Sequence, residues 1–404
     1  MGFNLTTATN LFKIKYGKLS DNVYNSANVL LGRVKKEYNF TGKRMDIAVP
    51  TSFAGGVGSG SLPTANSASY EDAQISAKKM YSVIEIDREA IKAAENDEGA
   101  FVRLTKHSVQ KGVESWMRNM SRSLFNDGTG ALGAGDGATN VSGAGTTGSP
   151  YVVVIGTASW KEANWEEKDF VNYDTETTQL EVVAVAPSTR SISLVGTSAG
   201  LAALTGVGPV PTSKYFHMQN SKDNDPEGLK GVLEATSGSK YGISIARRWK
   251  AFQKDASSSG LTVDLMNEVM LGVEKQCGKV PNLIVTSYTQ YRKLMNLLED
   301  QKQYIVEPRS PELKGKVSFR GVEFMSQAGP VGVFADRFAA DDQMLFLNDN
   351  YITIHHRPGF GWFDDDGTVF LRKSGEDVYE ARYGGYLQSY IVPSFQGILD
   401  NLAT

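Results

Sequence analysis

The stretch that decides the fold is residues 97–128, which read DEGAFVRLTKHSVQKGVESWMRNMSRSLFNDG. Asp97 is a suitable N-cap, and Asn126-Asp127-Gly128 is a typical helix end. About thirty residues at 1.5 Å each predict a rod of roughly 45 Å. We interpret it as a structural spine, because its apolar side chains recur every three or four positions and so form one core-facing stripe. The stripe consists of Val109, Val113, Trp116, Met120 and Leu124.

The chain begins with a basic segment, residues 1–45. Eight Lys and Arg residues oppose Asp21 and Glu37, so its formal charge is 8 − 2 = +6, whereas the whole chain carries −3. The segment has too few large apolar residues for a core of its own. We predict an extended arm with a short helix around residues 24–36. The arm is either a solvated tail or a segment that lies on a neighbouring subunit or an anionic surface.

Residues 46–86 predict one long β-hairpin. An apolar strand precedes a glycine-rich tip at residues 55–60, and the returning strand covers residues 68–86. A two-stranded hairpin is marginally stable in water by itself. A long hairpin that projects from a domain therefore needs a partner surface, which is the first indication of assembly.

The sequence after the helix changes character twice. Residues 127–150 consist almost entirely of small and polar residues and predict a linker. Short strand patterns at close spacing over residues 150–222 predict a small inserted β-barrel. From residue 225 onward helix and strand patterns alternate, with one helix predicted on the apolar stripe from Leu265 to Cys277 and a second capped by Ser287 or Thr289. The fold class is therefore α+β with an all-β insertion.

The composition leaves little room for catalysis or metal binding. The chain of 404 residues has one cysteine and four histidines, which excludes a disulfide scaffold and multi-cysteine metal sites. Its net charge of −3 excludes a polycationic nucleic-acid binder. No apolar run approaches the roughly 18 residues of a membrane span, and the N-terminus lacks the features of a signal peptide. No membrane partner is predicted.

The individual motifs also favour structural roles. Gly128, Gly130 and Gly133 have the spacing of a dinucleotide fingerprint, but they follow a helix, whereas the fingerprint follows a strand. His355 and His356 are adjacent on a predicted strand, so one should point inward and one outward, and they cannot share a metal. Cys277 lies on an apolar helical stripe and is interpreted as a small buried hydrophobe. We predict no catalytic residue, no cofactor and no metal.

The order of these features resembles the Hong Kong 97 fold of tailed-bacteriophage major capsid proteins. Asp225-Pro226-Glu227-Gly228-Leu229-Lys230-Gly231 resembles the point where such chains enter the axial domain, and Val263 to Asp300 resembles the centre of that domain. The later stretches around residues 321–325, 349–352 and 383–395 resemble the strands that return to the peripheral domain. The implied divisions are an N-terminal arm (1–45), an extended loop (46–86), the spine helix of the peripheral domain with a Gly-rich linker (87–149), an inserted β-barrel domain (150–222), an axial domain (223–345) and the peripheral return (346–404).

The resemblance implies a structural subunit that assembles as hexamers and pentamers into an icosahedral shell around phage double-stranded DNA. The expected partners are further copies of the chain, a separate scaffolding protein (because the chain starts directly with the arm), a portal protein and a decoration protein, with DNA contacted non-specifically. The expected location is the virion, after assembly in the bacterial cytoplasm. The predicted assembly-interface residues are Lys13, Lys15, Lys18, Arg33, Lys35, Gly55, Gly58, Ile75, Lys78 and Lys79. The family's Lys–Asn cross-link would draw on Lys78, Lys79, Asn348 and Asn350.

Three alternatives remain open at the level of the sequence. An encapsulin-like compartment would share the fold and hold a cargo enzyme. A phage tail or baseplate protein would also use arms and β-modules. A carbohydrate-active enzyme would use Trp160, Trp165 and Tyr173 to stack sugars, although such aromatic residues more often fill the core of a small barrel.

Overall fold

The computed structural model describes residues 29–52, 69–88, 98–196, 208–247, 249–299, 322–327, 329–357, 361–363 and 367–404. The described helices are α1 (Val29–Arg33), α2 (Glu98–Phe125), α3 (Leu229–Leu233), α4 (Val263–Cys277) and α5 (Tyr288–Glu299). The described strands are β1 (Lys35–Glu37), β2 (Arg44–Ser52), β3 (Ser69–Ser76), β4 (Lys78–Asp87), β5 (Ala131–Ala134), β6 (Tyr151–Val154), β7 (Phe170–Tyr173), β8 (Leu180–Ala186), β9 (Ser191–Gly196), β10 (Tyr215–Met218), β11 (Ser239–Lys240), β12 (Ile243–Ser244), β13 (Phe252–Asp255), β14 (Leu283–Thr286), β15 (Val322–Ser326), β16 (Gly329–Ala335), β17 (Met344–Leu347), β18 (Ile352–His356), β19 (Gly361–Trp362), β20 (Phe370–Arg372), β21 (Val378–Ile391) and β22 (Gly397–Asp400).

The predicted spine helix is α2, and it packs on a six-stranded sheet that we call the peripheral sheet (β1, β4, β18, β19, β20 and β21). The long strand β21 lies at its centre, with β4 along one side and β18, β19 and β20 along the other. Val113, Trp116 and Met120 of the predicted stripe are almost fully buried. The helix approaches β4 closely at Gly112, where an added Cβ would lie 2.5 Å from Ile84 Cδ1.

The predicted hairpin is present in part, as the two-stranded antiparallel sheet of β2 and β3, and its tip lies outside the described residues. Residues 78–86 of the predicted returning strand belong instead to β4 of the peripheral sheet. The base of the hairpin packs on the chain itself. Ile75 and Ala73 are fully buried against Ile243 and Trp249, and Gln74 N donates to the carbonyl oxygen of Tyr241 at 2.7 Å. The returning strand then continues through Ala77 into β4.

The axial sheet has the order β13-β22-β17-β14-β16-β15, and its central strands β14 and β17 are buried on both faces. One face packs under α4 and α5 through side chains such as Ile284 and Phe346. The opposite face, including Leu283 and Leu345, joins the core that contains α2. Burial on both faces explains why β14 and β17 are continuous apolar runs rather than alternating patterns.

The inserted strands form a third six-stranded sheet, in the order β5-β10-β7-β8-β9-β6, which we call the barrel module. Its edge strands meet, because Gly156 N donates to the Ala134 carbonyl at 2.9 Å and Gly135 bridges Ile155. The module has its own apolar core. One difference from the sequence prediction is β5, which lies in the tract predicted as a linker. Small residues are needed there, since a Cβ on Gly135 would lie 2.2 Å from the Val210 carbonyl oxygen.

The histidine pair also differs from expectation. His355 and His356 do point to opposite faces of β18, but both are buried, so the prediction of one exposed histidine was wrong. The segment around β1 supplies the additional cover. Tyr38 stacks on His356 with ring centroids 5.2 Å apart, and His355 Nδ1 lies 2.9 Å from Asn39 Oδ1.

Candidate assembly surfaces

Half of the predicted interface residues lie outside the described part of the chain: Lys13, Lys15, Lys18, Gly55 and Gly58. Two others lie next to the short helix α1. The Arg33 guanidinium sits 4.7 Å above the Phe334 ring, and Lys35 pairs with Glu37 at 2.5 Å. Both side chains are therefore engaged within the chain, so their role at an interface stays a prediction.

The predicted residues on the returning strand occupy three different environments. Ile75 is fully buried in the chain's own core and presents no surface for a neighbour in this conformation. The side chains that cover it include Ile243 and Trp249 of the same chain. Lys78 Nζ donates to the Asp223 carbonyl at 2.8 Å, whereas Lys79 is exposed with its Nζ 5.9 Å from the Tyr386 ring centroid.

The asparagines of the predicted cross-link lie after β17, at the end of the axial sheet. Asn348 is buried, its backbone N–H donates to Gln396 Oε1 at 2.7 Å and its Nδ2 donates to the Val280 carbonyl at 3.2 Å. Asn350 Nδ2 in turn donates to Asn348 Oδ1 at 3.2 Å. These bonds give Asn348 a structural role, and the cross-link stays a prediction.

One surface that the sequence did not reveal is the open face of the peripheral sheet, opposite α2. Tyr81 and Val83 on β4 are 42% and 53% exposed. Tyr81 packs edge-on against Phe363 with centroids 5.5 Å apart. Partial burial and a hydrogen bond with Tyr386 raise the pKa of Tyr81 to about 12. Tyr81 is therefore a neutral hydrogen-bonding group on an apolar surface patch at any physiological pH.

A second feature missed at the sequence level is a pair of arginines one turn apart on α2. Arg118 forms ion pairs with Glu166 and Asp169 of the barrel module, at 2.7 Å for Asp169. Arg122 is buried and contacts Asp225 at 3.3 Å. Burial lowers the pKa of Arg122, and Asp225 partly offsets this effect. The i, i+4 spacing was visible in the sequence, but the partners lie far along the chain.

The segment at residues 225–231 closes the fold at the end of α2. Gly228 approaches the helix end so closely that an added Cβ would lie 2.3 Å from the carbonyl oxygens of Ser123 and Asn126. Glu227 then pairs with Lys240 at 2.5 Å. This packing explains why a small residue stands between Glu227 and the start of α3.

Tyr241 continues this closure by covering the edge of β21 beyond the end of β4. Its hydroxyl donates to the Ser389 carbonyl at 3.2 Å and accepts from Ile391 N at 3.3 Å. Burial raises the pKa of Tyr241 well above its ordinary value, so the hydroxyl keeps its proton. The end of β21 is therefore hydrogen-bonded within the chain.

The barrel module is also fastened to the axial domain. Lys161 Nζ donates to the Phe338 carbonyl at 3.3 Å. Burial, with repulsion from Lys230, lowers the pKa of Lys161 to about 8. Burial raises the pKa values of the neighbouring Glu234 and Asp342 carboxyls. The barrel module is thus attached to the rest of the chain at two places, by Lys161 near these carboxyls and by the ion pairs of Arg118.

The aromatic residues considered for sugar stacking belong to the core of the module. Trp165 and Tyr173 are almost fully buried around Phe216, and Trp160 stacks on Trp165 with centroids 6.4 Å apart. They stabilise the barrel rather than line a groove. Within the described ranges no cluster of three metal-ligating side chains occurs. Nor is any helix of the described chain long and apolar enough to cross a membrane.

Comparison with known proteins gives a consistent result. Residues 208–361, a little over a third of the chain, match the family model of the SU10 major capsid protein. A comparison with curated proteins finds no match. The structure resembles a cyanophage A-1(L) capsid asymmetric unit, with a TM-score of 0.53 and 11% identity over 92% of this chain and 91% of that one.

Two further structures are similar at a lower level. A chain of a Mycobacterium phage Bobi structure has a TM-score of 0.43 and 9% identity over 92% of this chain and 89% of that one. The encapsulin of Synechococcus elongatus has a TM-score of 0.43 and 7% identity over 92% and 86%. The likeness to the cyanophage capsid, at a TM-score above 0.5, shows the fold of this chain. Part of the chain, residues 208–361, is thus similar to a major capsid protein family, and the chain as a whole has the fold of a phage capsid chain.

Proposed function

We propose that this chain is a phage major capsid protein that assembles as hexamers and pentamers into an icosahedral shell around double-stranded DNA, as the match of residues 208–361 to a major capsid protein family supports. The observation that carries the proposal is the β2–β3 hairpin. Its apolar face is fully buried near Ile75 but only half-buried at Met45, Ile47 and Val49, where the chain's own covering residues end. Burial of this remaining surface by an adjacent subunit would stabilise the hairpin and link neighbours.

The basic arm supplies the second part of the proposal. Its charge of +6 suits a strand that runs along the inner face of the shell and partly screens DNA phosphates without reading sequence. The scaffolding, portal and decoration proteins expected from the resemblance are proposed partners. The proposed location is the virion, after assembly in the host cytoplasm, and the protein acts as a structural subunit rather than an enzyme.

Removal of the arm tests this function. The truncation must end at residue 28, because Leu30 and Leu31 are fully buried in the main core. We expect a chain lacking residues 2–28 to fold with an unchanged circular dichroism spectrum but to form no closed shells by electron microscopy. Normal shells from the truncated chain would contradict the role of the arm. In a full-length control, Lys13, Lys15 and Lys18 are changed to Gln. This control keeps the length of the arm and lowers its charge, so it separates the effect of charge from the effect of length.

A further inference from the structure

A short segment between α1 and the hairpin lies over the two buried histidines of β18. We call this segment, residues 35–39, the strap. It contains β1, which pairs in parallel with β18 and ends with Glu37 opposite His355. Buried side chains fix it at both ends, since Val34 belongs to the main core and Phe40 to the core at the base of the hairpin. The strap therefore sets the spacing between the base of the arm and the hairpin.

The strap lies largely on the surface, whereas the histidines beneath it do not. Tyr38 is 62% exposed, yet its ring stacks on His356, which is 1% exposed. On the other face of β18, the exposed Asn39 contacts His355, which is also buried. Lifting the strap would therefore remove cover from both imidazoles and bring them into contact with water.

The hydrogen bonds of the strap fix where His355 can accept a second proton. Asn39 Nδ2 donates to Glu37 Oε2 at 2.9 Å, so Asn39 Oδ1 is the atom that accepts from His355 Nδ1. The second proton must then bind at His355 Nε2, which is buried and has no hydrogen-bond partner among the described residues. A buried donor without an acceptor is costly. The closed strap therefore disfavours the charged form of His355.

The charges around His355 oppose one another. Burial lowers the pKa of His355, the Glu37 carboxylate at 3.7 Å raises it, and Lys35 lowers it. From β21, the Tyr390 ring lies 6.2 Å from the imidazole, and burial raises the pKa of Tyr390 to about 12, so this neighbour is uncharged. The effect of burial exceeds that of Glu37, so the closed strap keeps His355 neutral.

At His356 burial and charge act in the same direction. Burial, with the nearby Lys36 and His355, lowers the pKa of His356 to about 4. A hydrated histidine titrates near 6.5. As the pH falls below 6.5, the open strap binds protons that the closed strap does not, so acid favours opening. For His356 alone, these values raise the ratio of open to closed strap about twentyfold between pH 7 and pH 5.

We propose that the strap is an acid-opened switch, in which residues 35–39 lift off β18 when His355 and His356 are protonated while the rest of the chain stays folded. Opening would give the chain additional free length between α1, where the arm ends, and the hairpin, which begins at Arg44. The switch is a property of the single chain and does not depend on the proposed function.

Hydrogen exchange of the unassembled full-length chain tests the switch at single amides. The reporter is Phe40 N–H, which donates to the His356 carbonyl at 3.1 Å and closes the end of the strap onto β18. The control is Phe252 N–H, which donates to the Gln396 carbonyl at 3.0 Å, because β13 likewise pairs in parallel with its neighbour β22. After correction for the intrinsic exchange rate at each pH, we expect the protection of Phe40 to fall about twentyfold between pH 7 and pH 5. The protection of Phe252 should change less than twofold.

A double variant, His355→Gln with His356→Phe, removes both titrating groups. The Phe ring keeps a surface on which Tyr38 can stack, and the protection of Phe40 should then change less than threefold over the same range. If the double variant does not fold, His356→Gln alone should still reduce the effect of pH. An equal loss of Phe40 protection in the unchanged chain and the variant would overturn the proposal. So would unchanged protection of Phe40 at pH 5, or a loss at Phe252 of the same size, which would indicate unfolding of the whole chain.

Discussion

At the scale of single residues, Gly228 shows how closely the two halves of the fold meet. An added Cβ at this position would contact carbonyl oxygens at the end of α2, which have no room to move. We predict that Gly228→Ala lowers the free energy of unfolding by about 1–3 kcal/mol, the usual cost of overpacking. Gly260→Ala is the control, because no atom lies within 4 Å of its added Cβ and its φ is not positive. Equal stabilities of the two variants in denaturant unfolding would contradict this packing.

The buried His356 predicts that the free energy of unfolding depends on pH. Burial, with the nearby Lys36 and His355 charges, lowers the pKa of His356 to about 4. The folded chain therefore favours neutral His356, whereas the unfolded chain titrates near 6.5, so stability is lost as the pH falls from 6.5 toward 4. Protonation of this group in the unfolded chain therefore makes the free energy of unfolding about 2 kcal/mol lower at pH 5 than at pH 7.

The variant His356→Gln isolates this effect from the carboxyl groups that titrate in the same range. Its unfolding free energy should fall by about 2 kcal/mol less than that of the unchanged chain between pH 7 and pH 5. Measurements on unassembled protein avoid contributions from neighbouring subunits. An identical pH dependence in both proteins would mean that His356 is readily protonated in the folded state.

Much of the residue-scale detail could not be predicted from sequence. The stripe on α2 was readable because its members are neighbours along one helix. The interactions of three other side chains could not be predicted, because their partners lie between 48 and 177 positions away and no local pattern marks them: Arg118, Arg122 and Lys161. His356 was misjudged because its cover comes from Tyr38, over three hundred positions earlier.

At the scale of elements, the barrel module behaves as a unit whose two ends meet. An added Cβ on Gly130 would lie 2.5 Å from the Ser221 carbonyl oxygen, and Asp223 N donates to the Thr129 carbonyl at 2.9 Å. We predict that replacing residues 131–220 with two glycines leaves a folded chain. Thermal unfolding should stay cooperative, because the module has a core separate from the main one.

A shifted excision provides the matched control. Removal of residues 131–213 leaves β10 without its neighbours β5 and β7, and exposes Phe216, which is now fully buried. This variant should aggregate. If both excisions aggregate, the module is part of the main folding unit and does not fold separately from it.

The elements themselves were largely predictable wherever a local period was strong. The spine helix, the hairpin and the strands on either side of residues 187–190 match their patterns. The exception, β5, consists of Ala, Leu and Gly, whose composition indicates flexibility. Its strand conformation is imposed by pairing with β10, more than eighty residues away, which no local pattern records.

At the scale of the whole molecule, the structure combines a well-packed interior with extensions that remain incompletely covered. The spine helix, the peripheral sheet and one face of the axial sheet share one core. The half-buried face of the hairpin and the exposed side chains of Tyr81 and Val83 lie outside this core. Such surfaces are expected of a subunit whose burial is completed by its neighbours.

Electron microscopy of the purified chain, expressed alone and together with its neighbouring genes, tests the central claim most directly. The account predicts closed icosahedral particles, or rings of five and six subunits, in at least one of these conditions. A stable monomer in every condition would contradict it.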